Sequence, residues 1–477
     1  MMSRFLPLLA VGTMFGAALV WAKVSGSSLL IHQQLPVTQA PVGTPSTPYD
    51  PALVHQTLEF YAAQARRDPG SAISAAFLAH EYLESYRETG DNADALRAEQ
   101  AARASLAIRT RNNGDALFQL SRALLAQHRF PQALVEARRA AQFDPNGLRE
   151  CADIEFEIGD YARAESDIKA ARSASVSLAR EVALQRGDTR PAKPGDDPAF
   201  LALVSRVNEL HGDSKGQIVL LRRAAQGADD NSTTPPQSVA WFHERLGRAL
   251  SMQGQLDEAE KNYSLGLQVF PRDYRSMAAL AHLYAARGQW QKTIEWGQKA
   301  AQIVPSPETL ALLGDAYGAL GQKARAQAQW KLVGQIGQLS RAQGVIYDRQ
   351  RALFLADHDL QPVEAVRLAR GELSLRHDIY AFDTLAWTLF KANRLDEASA
   401  NSARALKFGT RDASLYFHAG MIAAAQNKVA LGHAYLSRAL EINPAFHPSY
   451  PAQARATLAR LGSISATQGT ARGANSS

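Results

Sequence analysis

Apolar residues recur three and four positions apart from Pro51 to about Leu461, and the stripes break at regular intervals on a glycine or a proline. That spacing predicts amphipathic helices joined by short turns. Two stretches repeat in register: Ala240–Pro271 (AWFHERLGRALSMQGQLDEAEKNYSLGLQVFP) and Tyr274–Pro305 (YRSMAALAHLYAARGQWQKTIEWGQKAAQIVP) lie 34 residues apart. Leu246 aligns with Leu280, Gly254 with Gly288 and Pro271 with Pro305. A fixed period of this length means stacked helix–turn–helix units in which each unit buries its apolar face against its neighbours.

Small residues fall where two helices must approach. Gly247 and Gly314 sit on the first helix of their units, and Ala259, Ala326 and Ala398 supply the matching small surface on the second. Tyr284 and Tyr317 are large residues that fill space between units. Gly254, Gly288 and Gly321 occupy the intervening turn, where a positive φ suits glycine. Pro145, Pro271, Pro305 and Pro444 close the second helix, since proline lacks an amide donor and disfavours helix before it. Over about four-fifths of the chain these units resemble tetratricopeptide repeats. The resemblance implies an all-α, right-handed superhelical solenoid of about nine or ten helix–turn–helix units, with the first helices lining a concave peptide-binding face.

Plainer units occupy Gly114–Pro145, 148–176, Ile379–Thr410 and Ala413–Pro444, and weaker ones 71–112, 198–226 and 346–378. The first of the weak units carries an enlarged turn, ESYRETGDNAD. The expected organisation is a targeting segment over 1–22, a Pro/Ser/Thr-rich linker over 23–50, N-terminal repeats over 51–185, and a loop-flanked divergent repeat over 186–236. Central repeats over 237–340, C-terminal repeats over 345–447, and a capping helix with a disordered tail over 448–477 complete it. The loops Arg186–Pro198 and Gln226–Gln237 are proline-rich and charged, and either divide the array or bulge from one edge.

The apolar run Phe5–Ala22, between Arg4 and Lys23, reads as a signal peptide or as an uncleaved anchor. Both readings place the chain outside the cytoplasm: exported, periplasmic, or tethered to an inner membrane and facing the periplasm. Cys151 stands alone, so no intrachain disulfide forms, and its apolar helical setting predicts a buried thiol. The net charge of +6 is spread through the sequence, without the clustered basic face that nucleic-acid binding requires.

No phosphate loop, nucleophile elbow or zinc-binding His-Glu-x-x-His occurs, and the spacing offers no cofactor or metal site. The expected chemistry is therefore binding, without catalysis. Projecting the first helices at 3.6 residues per turn gives two candidate groove surfaces. One is aromatic: Tyr380, Asp383, Trp387, Phe390, Phe417, His418 and Met421. It reads either as a hydrophobic peptide site or as packing inside the array and under the helix near 451–461. The other is mixed and leans basic: Trp241, Glu244, Arg248, Arg275 and His282, suited to an acidic segment. The Lys/Asn clamp by which some relatives of the repeat family hold chaperone tails is not reproduced. The expected role is a non-enzymatic protein-interaction scaffold of a bacterial envelope, serving assembly of a secretion, pilus or polysaccharide-export complex. The alternative is an accessory subunit that positions a separate glycosyltransferase or protease.

Overall fold

The computed structural model describes residues 51–185, 197–342 and 348–474. The segments expected to serve as targeting sequence and linker, and most of the Arg186–Pro198 loop, lie outside these. Among the described residues there are 22 helices and no strand.

Helix α1 (Pro51–Arg67) precedes ten hairpins, each made of a first helix A and a second helix B. In chain order they are α2 (Ala72–Thr89) with α3 (Asn92–Ile108), α4 (Gly114–Ala126) with α5 (Phe130–Ala140), and α6 (Asn146–Ile158) with α7 (Tyr161–Gln185). Then come α8 (Pro198–Leu210) with α9 (Ser214–Asp229), α10 (Pro236–Met252) with α11 (Leu256–Val269), and α12 (Tyr274–Ala286) with α13 (Trp290–Ile303). The last four are α14 (Pro307–Ala319) with α15 (Lys323–Ala342), α16 (Asp348–Asp357) with α17 (Pro362–Leu375), α18 (Ile379–Lys391) with α19 (Leu395–Ala405), and α20 (Ala413–Ala425) with α21 (Val429–Ile442). Helix α22 (Tyr450–Ala474) ends the stack. The chain is a solenoid of tetratricopeptide-type hairpins.

The local chemistry explains the hairpins. A Cβ on Gly247 would lie 2.5 Å from the Tyr263 ring, and one on Gly314 would lie 2.2 Å from Trp330 Nε1, so neither pair of helices could close on a larger residue. Gly254, Gly288 and Gly321 have φ of 75°, 70° and 74° in their A–B turns. In other hairpins His128, Asp359, Asn393 and Asn427 hold the same left-handed position. Ser71, Asp91, Asp273, Ser306, Asp378 and Asp412 cap helix N-termini through their side chains. Cys151 is buried in the core, where burial pushes its thiol up to about 12.

Two expectations are corrected. The segment ESYRETGDNAD does not form an enlarged turn: α2 runs on to Thr89, Gly90 adopts φ 67°, and Asp91 caps α3 at once. The extra residues lengthen the helix. The terminal helix continues to Ala474, into the stretch expected to lack structure, and its buried residues include Leu461. No helix among the described residues is long and apolar enough to cross a membrane.

The solenoid coils tightly enough to meet itself. The A–B turn of one hairpin packs on the B–A loop met some five hairpins later. His377 donates its amide to Ile158 O at 2.8 Å, and Ile379 donates to Tyr161 Oη at 2.9 Å. Thr410 Oγ1 donates to Leu210 O at 2.6 Å, and Asn443 Nδ2 to Ser251 O at 2.8 Å. Apolar contact reinforces this seam: one buried cluster joins Phe156, Tyr161, Phe200 and Leu210 to Ile379, Ala405 and Leu415. The A helices thus enclose a lumen.

Candidate functional site

The lumen opens between the first six A helices into a cavity of about 730 Å³. A smaller chamber of about 270 Å³ adjoins it through the shared residues His128, Glu157, Arg206 and Arg245. Together the two are lined by nine arginines and six carboxylates. Each A helix contributes one stripe. Helix α4 presents Phe118 and Arg122, α6 presents Arg149, Asp153 and Glu157, α8 presents Arg206, and α10 presents Trp241 and Arg245. Arg248, one further turn along α10, lines the smaller chamber.

Most of the arginines are already paired. Arg206 lies 2.7 Å from Asp153 and 2.8 Å from Glu157, with its guanidinium over the Phe156 ring. Arg376, from the far side of the seam, reaches Glu157 at 2.6 Å and donates through Nε to the Glu157 carbonyl. Burial disfavours the charge on Glu157, yet Arg206 and Arg376 hold it down at about 2. Arg349 meets Asp378 at 2.5 Å and Glu372 at 3.0 Å. Arg149 pairs with Asp197, and Arg87 with Glu84. Arg275 donates to the Arg87 carbonyl at 3.2 Å and stands 3.8 Å from Asp273.

Three arginines have no such partner. Arg122 rests over Phe118 and Arg245 over Trp241, at 5.5 and 5.7 Å from the ring centres. Neither these nor Arg248 forms an ion pair among the described residues. Arg248 is exposed to the lumen, as is Trp241 at 37 %. Across the cavity, burial pushes the Glu150 carboxyl up to about 7 against the pull of Arg122, and its Oε1 is buried without a hydrogen-bond partner among the described residues. Burial likewise raises Glu244, which Arg245 and Arg248 pull back. The wall is therefore cationic, with one open aromatic face.

The two predicted groove surfaces fare differently. Trp241, Arg248 and Arg275 line the cavities, as does Tyr380, whose hydroxyl donates to Glu209 at 3.3 Å. Glu244 and His282 are half-buried; His282 Nε2 stands 3.2 Å from Glu308 Oε1. The aromatic surface is not an open groove. Trp387 is 1 % exposed, Phe417 is 0 %, and Asp383 and His418 are buried against each other with Nδ1 and Oδ2 2.9 Å apart. Trp387 donates to Asp357 at 2.7 Å and stacks on His418 and Phe390, while Phe417 stacks on Tyr450. Phe390 and Met421 pack against the same cluster. Tyr450 begins α22, so the terminal helix covers the face that periodicity alone leaves bare. Arg122, Arg245 and Phe118 escaped the sequence reading. Their signal was the i, i+4 spacing Phe118–Arg122 and the i, i+4, i+7 stripe Trp241–Arg245–Arg248.

No family model matches the chain, and no curated protein does. Solved structures resemble it at low identity. A human IFIT1 dimer with PPP-AAAA is 14 % identical over 71 % of this chain and 73 % of its own, with a TM-score of 0.45. PilW, a type IV pilus biogenesis factor, is 17 % identical over 48 % of this chain and 93 % of its own, at 0.35. Yeast Tom70 is 10 % identical over 87 % of this chain and 93 % of its own, at 0.34. The fold assignment rests on the hairpins themselves.

Proposed function

We propose that the chain is a non-enzymatic scaffold that holds a segment of a partner protein in its lumen, in a bacterial cell envelope. The observation that carries this reading is the stripe Trp241–Arg245–Arg248, which faces a cavity of about 730 Å³ and its neighbour with no carboxylate among the described residues paired to either arginine. That volume falls in the range of about 300–1,000 Å³ typical of built ligand sites. Inside a curved wall, water is partly excluded, so each charge on a bound segment is felt more strongly than on an open surface. The indole supplies a large apolar contact at little entropic cost. Placement in an envelope is supported by the apolar run Phe5–Ala22.

The test is site-specific photocrosslinking in the native host. A crosslinker replacing Trp241, inside the lumen, is compared with one replacing Val135, which is 57 % exposed and lies outside the lumen-lining set. The expected result is a discrete protein adduct from position 241 and none from 135. Adducts from 135 alone would remove the lumen from the function.

A further inference from the structure

We infer that the lumen recognises an acidic peptide segment, with Arg122, Arg245 and Arg248 reading its carboxylates and Trp241 covering an adjacent apolar side chain. This rests on the scaffold reading and names the chemistry of what the scaffold holds.

A guanidinium confined beside other guanidinium groups is destabilised unless an anion joins it, and here Arg122 and Arg245 rest over aromatic rings and form no ion pair among the described residues. Four further arginines line the same cavity, and its paired acids, Asp153 and Glu157, are already engaged by Arg206. A second sign of an unfilled site is independent of charge. Arg149 lines the cavity, and its Nε is buried without an acceptor among the described residues, although Nη1 is paired with Asp197 and Nη2 donates to Ser175 Oγ at 3.5 Å. An incoming carboxylate offers that acceptor, and planar guanidinium groups match it two bonds at a time.

A peptide fits better than a nucleic acid. Asp153, Glu157 and Glu209 are interleaved with the arginines along the wall and would repel an unbroken line of phosphates. They leave room for separate carboxylates spaced along a peptide. Single-stranded nucleic acid also calls for successive aromatic platforms, and Trp241 is the one large aromatic among the exposed apolar residues lining this cavity.

Fluorescence anisotropy on the full chain tests the inference. The probe is a fluorescein-labelled capped peptide of alternating leucine, aspartate and glutamate. Its counterpart replaces each acid with the matching amide, and an oligonucleotide of equal charge is the third ligand. The acidic peptide should bind at least tenfold more tightly than the amide peptide or the oligonucleotide. The Arg122→Gln/Arg245→Gln double variant should lose at least tenfold, while Arg222→Gln, at an exposed pair with Glu258, changes nothing. Matching circular dichroism melts for both variants will separate lost binding from lost fold. Preference for the oligonucleotide, indifference to the double variant, or no acidic-peptide binding overturns the inference. A protein crosslinked from position 241 without an acidic segment would overturn it too, yet leave the scaffold reading standing. Absence of any lumen crosslink would remove both.

Discussion

At the scale of single residues, identity and surroundings decide whether an aromatic binds or supports. Trp241 and Trp387 both lie on A helices at positions that project inward, and periodicity alone cannot separate them. Asp357 accepts the indole N–H of Trp387, and the His418 and Tyr450 rings pack on it, whereas Trp241 has open cavity on one face. Trp387→Ala should therefore destabilise the fold by ~3–5 kcal/mol, the usual cost of emptying a large buried site. A urea titration followed by circular dichroism will read this. Acidic-peptide binding, measured where the variant remains folded, should be unchanged. The roles of Gly247 and Gly314 were legible in sequence because the requirement there is local: no side chain fits between two helices of the same hairpin. The roles of Trp387 and Phe417 were not, because the residue that covers them, Tyr450, arrives from a helix beyond the repeats.

At the scale of elements, the A–B turns carry a pH response. His128 holds the left-handed position between α4 and α5, at φ 57°, and faces both chambers. Burial, then the charge of Arg376, pulls its pKa down from 6.5 to about 4. The folded chain therefore resists a proton that the unfolded chain accepts. Stability contributed by the neutral ring is full above 6.5 and declines as pH falls from there to about 4. His282 has the opposite sign: its pKa is raised despite burial, through Glu308, so its contribution is present below 6.5 and fades as pH rises through the higher folded value. His128→Asn isolates the first effect, since asparagine tolerates the left-handed conformation and does not titrate. The drop in urea midpoint between pH 7 and 4.5 should be smaller in the variant than in the wild type. An equal drop would assign the acid response to other groups. The unit Gly114–Pro145 was legible in sequence, but the residue at its turn was not, because histidine gives no turn signal there; glycine at 254, 288 and 321 did.

At the scale of the whole molecule, the hairpin order was legible and the seam was not. Helical period and turn residues report contacts within a unit and between neighbours, whereas Glu157 and Arg376 are 219 positions apart. Glu157→Gln should loosen the seam, removing the charge that Arg206 and Arg376 share. The expected cost is about 1–3 kcal/mol, below the ~3–5 of a fully buried pair because Glu157 is 33 % exposed. Small-angle scattering should show a larger radius of gyration in the variant at pH 7. In the wild type, the contribution of Glu157 is present above its ordinary value of 4.5 and is lost as pH falls through about 2, so this pairing survives mild acid. The seam also limits how such a chain can change over generations. An open solenoid can gain or lose a unit, because each unit answers only to its neighbours. Here, deleting one hairpin between Tyr161 and Ile379 would bring a different loop opposite that turn, and every later contact across the seam would slip with it. The number of repeats is fixed as firmly as the teeth of two meshed gears, and variation is left to what faces the lumen.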